Sequence, residues 1–228
     1  MLVTILMSHA LNDGYDIVPG PFGAGELQGA LAACNLAIEQ ADPSETRIGT
    51  HCVRVTGILR RAPILAALLL HQPLLRAAEE IISGPFKLSA FNARKVKPGA
   101  SAQLLHQDVA PGADGWPLVG FILMVDAFRP DNGATRFVPR SQHLPAIAED
   151  QLSEHPDQKH ACGPAGSMII FHGSAWHGYG ANITPDWRRS VYGSLIPQGA
   201  RAAMDHVQSV PPQVWMDLPE RVRDLLRS

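Results

Sequence analysis

Residues 166–190 read GSMIIFHGSAWHGYGANITPDWRRS. The run opens with a short apolar segment, Ser167 to Phe171, of the length and composition of a buried strand. Two histidines follow, His172 and His177, each a candidate metal ligand. Arg188, eleven positions after His177, is a candidate anion clamp at the start of another expected strand, Arg188 to Ile196. One histidine does not make a metal site, and a partner lies upstream in His106-Gln107-Asp108. On an extended segment, residues i and i+2 point the same way, so His106 and Asp108 can face one ion while Gln107 faces elsewhere. Two histidines and one carboxylate suit non-haem Fe(II). A plain His–Asp hydrogen bond at a strand end fits the same spacing about as well. Spacing also leaves the third ligand open between His172 and His177.

Outward from this stretch, the C-terminal half reads as short strands separated by turns. Phe86 to Val96 alternates, with Phe86, Leu88, Ala90 and Asn92 assigned to one face and Lys87, Ser89, Phe91 and Ala93 to the other. Ala102 to Asp108 is a further strand candidate. Leu118 to Phe128 is nearly all apolar, as in a strand buried on both faces. Asp131-Asn132-Gly133 is a turn signal, and Ala134 to Val138 a short strand. His143 to Lys159 is polar and loop-like. His155-Pro156-Asp157 repeats the His-x-Asp pattern there, with no strand to fix it, and reads as a solvated loop. His9, His51, His71, His143, His160 and His206 read as surface or satisfied core residues.

The N-terminal part is different. Asp13 to Gly20 reads as a turn, a short strand and a stop. Gly25 to Gln40 carries apolar Leu27, Ala30, Leu31 and Cys34 at helical spacing and ends before Asp42-Pro43. Thr50 to Val55 is a strand. Pro63 to Ile82 is helical in composition, interrupted at Pro73. Val210 to Leu226 has Val214, Leu218, Val222 and Leu225 at helical spacing and is expected to form one closing helix. Helices, then many short strands, then a helix suit an all-β core with flanking helices, a double-stranded β-helix or jelly roll. The expected organisation is one domain over 1–228: a helical part to about residue 85, a jelly-roll core over about 86–200, and a helix over about 210–226.

The 228 residues carry a net charge of −2, which gives no broad electrostatic argument for nucleic acid or an anionic membrane. Three cysteines, Cys34, Cys52 and Cys162, lack CxxC spacing and suggest neither a zinc knuckle nor a disulfide framework. A reducing cytoplasm is the simplest compartment. The apolar start MLVTILMSHA lacks a basic leader and is too short to span a bilayer. The expected partner is a small molecule, with neither nucleic acid nor membrane, and the chain is expected to be a monomer or homodimer.

Several segments together resemble the phytanoyl-CoA dioxygenase-like Fe(II)/2-oxoglutarate oxygenases, over nearly the whole chain. Asp13-Gly14-Tyr15 with Val18-Pro19-Gly20 is similar to the family's opening strand, and His106-Gln107-Asp108 to its first metal motif. Asp131 to Thr135 and Val138-Pro139-Arg140-Ser141-Gln142-His143 resemble its NG and PGSH segment, with Arg140 where the family usually has glycine. Gly166 to Phe171 and His177-Gly178, Asn182, Pro185 and Arg188 resemble its distal-histidine strand.

The resemblance implies His106, Asp108 and His177 as the metal and catalytic set, His177 being preferred over His172 by its spacing to Arg188. It implies Arg188 and Ser190 as ligands of the 2-oxoglutarate cosubstrate, with Thr135, Phe171 and Asn92 lining the same pocket. Fe(II) and O2 complete the implied cofactors. Relatives that halogenate have a small residue where this chain has Asp108, so oxygenation is the implied chemistry. A planar, bidentate cation suits the far carboxylate of 2-oxoglutarate, and Arg provides one where Lys does not.

Hydroxylation of a small molecule such as a natural-product intermediate is the first expectation, and oxidative ring closure the second. No basic run argues for a CoA thioester. Val109 to Pro117 and Ala148 to His160 are the segments expected to cover the site, and Trp116 and Trp176 are candidates to line it. Alternative readings are a cupin-like metal or small-ligand binding protein without oxygen chemistry, which gives no reason for Arg188 and Ser190, and a zinc hydrolase or isomerase.

Overall fold

The computed structural model describes residues 12–110 and 116–227. His9 and the reading of the 1–10 segment therefore lie outside the described residues. Ten strands are described. β1 (Tyr15–Pro19), β2 (Thr46–Ile48), β3 (Cys52–Val55), β4 (Phe86–Val96), β5 (Val119–Met124), β8 (Ser167–His172) and β10 (Arg188–Pro197) form an antiparallel sheet in the order β1-β8-β5-β10-β4-β3-β2. β6 (Thr135–Phe137), β7 (Lys159–His160) and β9 (His177–Tyr179) form a second, three-stranded sheet in the order β7-β6-β9. The two sheets make a jelly roll.

One face of the large sheet meets helices and the other meets the small sheet. α1 (Ala24–Glu39) starts where the Glu26 carboxylate accepts a hydrogen bond from the Gly23 N–H at 3.3 Å. It buries Ala30, Leu31, Cys34, Ala37 and Ile38. It ends before Asp42, whose side chain accepts from the Ser44 N–H and opens a 3-10 turn instead. After the short α2 (Ile58–Arg61), the helical region breaks at His71 into a 3-10 run (Pro63–Leu70) and α3 (Gln72–Ile82). Pro73 sits in the first turn of α3, where its missing N–H costs no helical bond. Leu65, Leu68, Leu69 and Leu74 are completely buried against Phe91, Phe121 and Ile170 of the sheet. Truncating any of these leucines to alanine would cost about 2–5 kcal/mol.

β5 is buried at all six positions, as its apolar run requires, because it is a central strand with helices on one side and the second sheet on the other. Two expectations change. The register of β4 slips opposite Ser194 and Leu195, so Ser89 is the extra residue of a bulge. Leu88 therefore joins Phe91 and Ala93 on the helix side, while Ala90, Asn92 and Arg94 face the second sheet. The closing segment is three short helices rather than one: α4 (His206–Ser209), α5 (Pro212–Asp217) and α6 (Glu220–Leu226). Pro219 forces Leu218 into an extended conformation and breaks the expected 210–226 helix. Leu218, Val222, Leu225 and Leu226 still pack into the helix-side core. No helix among the described residues is long and apolar enough to cross a membrane.

Candidate metal centre

His177 belongs to β9, opposite Phe137 of β6, so the small sheet fixes its position. His106 and Asp108 lie in a segment that is extended but makes only one bridge, not the ladder expected over 102–108. That bridge is to His177. His106 N–H donates to the His177 carbonyl and His177 N–H to the His106 carbonyl, each at 2.9 Å. Asp108 N–H donates to the Gly173 carbonyl at 2.8 Å, which ties the next step of the same segment.

The two imidazoles stand 4.4 Å apart between ring centroids. In each, Nδ1 faces a backbone carbonyl: Leu104 at 3.2 Å for His106, Ala175 at 2.9 Å for His177. A carbonyl only accepts, so Nδ1 carries the proton and Nε2 keeps its lone pair. Both Nε2 atoms point to Asp108, at 3.8 Å from Oδ1 and Oδ2 respectively. Ligand atoms of the three residues lie within 4.8 Å of one another. The His106 pKa is pushed down to about 4, first by burial and then by His177 beside it, against Asp108 and the Leu104 carbonyl. The ring is thus neutral at pH 7, the form that binds a cation. His172 is not part of the cluster: its Nδ1 accepts from the Ser174 N–H at 3.1 Å. His155 is likewise apart, packing edge-on against Trp176.

Apolar rings back the cluster. Phe171 and Phe137 lie 4.7 Å and 5.5 Å from the His177 ring. Phe171 reaches that place because Gly120, its partner in β5, has no side chain. A Cβ there would meet the Phe171 ring at 2.1 Å. Ser141 supports the histidine from behind. Its buried hydroxyl donates to the Val138 carbonyl at 2.6 Å and accepts from the Trp176 N–H at 2.7 Å.

Arg188 and Ser190 share a face of β10, and Arg189 takes the other, as strand alternation requires. Arg188 is 2% exposed. It donates to Ser190 Oγ at 3.0 Å and to the Gly133 carbonyl at 2.6 Å, and stacks on Phe128 at 4.3 Å. Burial, then Arg94 nearby, lowers its pKa to about 9, so it remains cationic at neutral pH. Its Nε has no hydrogen-bond partner. Asn182 closes the loop between His177 and Arg188: its amide donates to the Asp186 carbonyl, and its oxygen accepts from Thr184 N–H and hydroxyl. Arg189 instead pairs with both carboxylate oxygens of Asp126 and with Asn35.

A cavity of about 280 Å³ opens on His106, Asp108 and His177 and is lined also by Thr135 and Phe171. A wider one of about 710 Å³ continues outward past Asn92. Asn92 is buried and its Oδ1 has no partner. Arg188 and Ser190 line neither cavity; Arg94, Cys52 and Tyr179 stand around Arg188. Trp116 lines the inner cavity, whereas Trp176 is buried away from both. Ala148 to His160, expected to cover the site, lines neither cavity. Arg136 fastens it by donating to Ser153 O and Gln158 Oε1 while reaching Gln103 O with its other nitrogen. Residues 111–115 of the other expected cover lie outside the described residues. Sequence reasoning passed over Arg94, Gln103, Tyr179 and Tyr192, all of which line the inner cavity. The period of two that turns Asn92 inward carries on to Arg94, so that residue had a signal.

The donor set, two neutral imidazole nitrogens and a carboxylate, fits a divalent first-row metal. The unpartnered Nε of buried Arg188 fits a further anionic group. The family described as Phytanoyl-CoA dioxygenase (PhyH) matches residues 11–190. The dioxygenase trt7 of Aspergillus terreus is 34% identical over 156 residues, covering 63% of this chain and 54% of trt7. The multifunctional dioxygenase ausE of Emericella nidulans is 28% identical over 215 residues, covering 87% and 72%. The chain spans about half the length of several curated relatives that it matches, 41% to 54%. Among solved structures, HygX from Streptomyces hygroscopicus, with nickel, 2-oxoglutarate and hygromycin B bound, superposes with a TM-score of 0.70 at 14% identity, covering 87% of this chain and 88% of HygX.

Proposed function

The chain belongs to the phytanoyl-CoA dioxygenase family, and we propose that it is a non-haem Fe(II)/2-oxoglutarate-dependent dioxygenase acting on a small molecule. The observation that carries this reading is the convergence of His106, Asp108 and His177 beside a cavity, with a buried arginine eleven residues beyond the last histidine.

His106, Asp108 and His177 would hold Fe(II) through two Nε2 atoms and a carboxylate. When bound, iron with 2-oxoglutarate and O2 supplies the oxidation: one oxygen atom goes to a substrate C–H bond, the other to succinate, and CO2 is released. The protein contributes binding, orientation and exclusion of water. The Leu104 and Ala175 carbonyls hold each imidazole in the Nδ1–H form, which keeps Nε2 free. Arg188 takes the distal carboxylate of 2-oxoglutarate, with the Ser190 hydroxyl beside it. Arg94 and Tyr179 line the inner cavity and stand near Arg188, which marks the path the cosubstrate would take. Thr135 and Asn92 offer polar atoms along that path, and Phe171 keeps the space near His177 dry. The hygromycin B bound to HygX and the nogalamycin biosynthesis named for the structural neighbour SnoN make a hydroxylated or ring-closed natural product the first product class to test.

Incubating the protein with Fe(II), 2-oxoglutarate and O2 should yield succinate even without a prime substrate, through uncoupled turnover. Candidate substrates would then be screened by mass for a gain of one oxygen or a loss of two hydrogens. A protein that binds metal but forms no succinate would favour the alternative of a cupin-like binding protein.

A further inference from the structure

Three arginines stand in one row across the sheet at the mouth of the site. Arg47 of β2 is paired directly with Arg54 of β3, and Arg54 with Arg94 of β4. Direct partners share a face, and adjacent strands lie about 4.8 Å apart, so the row runs about 10 Å inward. All three line the outer cavity, and Arg94 also lines the inner one beside His106 and Asp108. Like charges directly opposite on neighbouring strands repel. Nothing in the described chain offsets this. The two carboxylates on the cavity wall are Asp108, in the metal cluster, and Glu45, which accepts from both Arg60 and Arg61. No side-chain hydrogen bond or ion pair joins Arg47, Arg54 or Arg94 to a described residue. Arg54 and Arg94 lean on the Tyr192 ring, at 5.9 Å and 4.6 Å, Arg94 also stands over the Tyr179 ring at 5.8 Å, and the buried Nε of Arg94 has no hydrogen-bond partner.

Resting on the oxygenase reading above, we propose that the prime substrate carries an oxyanion, a carboxylate or a phosphate, which docks on the Arg47–Arg54–Arg94 row. The anion would lie toward the mouth and the carbon to be oxidised beside His106, Asp108 and His177. Two or three guanidinium forks bind such a group better than lysines would. Tyr192 holds two of them in place by cation–π contact. The row also selects against neutral substrates, which leave the like charges uncompensated.

The test uses the full chain loaded with Ni(II) and saturated with 2-oxoglutarate, so that Arg188 is occupied. Benzoate, phenyl phosphate and benzyl alcohol are then titrated by calorimetry. At least one anion should bind tenfold or more tighter than benzyl alcohol, and which one binds distinguishes the carboxylate from the phosphate. The double variant Arg47→Gln/Arg54→Gln and the single variant Arg94→Gln should each lose at least tenfold of that affinity. Both should still titrate with 2-oxoglutarate, and the double variant should melt at a higher temperature than wild type because a repulsion has been removed. Equal binding of all three probes, or unchanged anion binding in both variants, overturns the proposal. Failure of wild type to bind 2-oxoglutarate would count against the oxygenase reading instead. The anions would then be titrated against the metal-loaded chain alone, where the same row and the same variants decide.

Discussion

His106 and His177 exchange both backbone hydrogen bonds in an isolated antiparallel bridge, 2.9 Å in each direction. Two residues far apart in the chain are thereby fixed in position before any metal arrives. The bridge holds the otherwise irregular 102–108 segment against β9, so the metal centre inherits its precision from the small sheet. That dependence sets what distant substitutions should do.

Ser141→Ala should act on His177 without touching it. The variant leaves the Trp176 N–H, one residue before His177, buried and unpaired. The expected cost is about 1–3 kcal/mol of stability and a loss of about 10–100-fold in metal affinity. Metal titration and urea unfolding of the same sample measure both. A loss of stability with unchanged metal affinity would show that Ser141 supports the fold alone.

Arg188 and Arg189 should separate cleanly. Removing one partner of a buried charged pair costs about 2–5 kcal/mol, so Arg188→Ala should weaken 2-oxoglutarate binding roughly 30-fold to several thousand-fold. Arg188→Lys should recover only part of this, since the fork is lost. Arg189→Ala should leave that affinity within about threefold but destabilise the protein by about 1–3 kcal/mol, because the half-buried Asp126 loses both guanidinium hydrogen bonds and keeps only the one from the backbone N–H of residue 189. A larger loss of 2-oxoglutarate affinity in the Arg189 variant would reverse the two roles.

Arg140 is a non-glycine residue with φ of 64°. The left-handed conformation costs a residue with a Cβ about 1 kcal/mol or more. The ion pair of Arg140 with Asp13 is on the surface and worth little in return. Arg140→Gly should therefore raise stability by about 0.5–1 kcal/mol and the melting temperature by a few degrees. A lower melting temperature would mean that the Asp13 contact outweighs the backbone strain.

The metal-free protein should lose stability as pH falls below about 6.5. Burial lowers the pKa of His71, His172 and His206 below the ordinary value, with His143 adding to the effect at His172. Between the ordinary and the lowered values the unfolded chain binds protons that the folded chain does not, so protonation favours unfolding. The contribution is full above the unfolded pKa and is lost as pH drops through the folded ones. Urea midpoints at pH 7.5 and 5.5 test this, and equal midpoints would contradict it.

Much of this was legible in the residues. The apolar run from Leu118 could only be a central strand, and β5 is buried at every position. His106 and Asp108 could be paired by the period of two. The choice of His177 over His172 came from the family resemblance, which implies an arginine eleven residues after the ligand, and the geometry brings His177 to the other two. What failed depends on pairing rather than pattern. The β4 bulge at Ser89 exists only because β10 imposes a register, and it moves Leu88 to the opposite face. The closing helix broke because Pro219 outweighs four apolar residues at helical spacing. The arginine row was invisible because Arg47, Arg54 and Arg94 meet only when β2, β3 and β4 align.

Anaerobic calorimetry with Fe(II) followed by 2-oxoglutarate tests the metal centre most directly. Wild type should bind one Fe(II) per chain, and one 2-oxoglutarate whose affinity depends on the metal. Asp108→Ala should keep its fold, lose most of its Fe(II) affinity and form no succinate. Wild-type binding of 2-oxoglutarate that ignores the metal, or an Asp108→Ala variant that binds Fe(II) as well as wild type, would contradict the assignment of His106, Asp108 and His177.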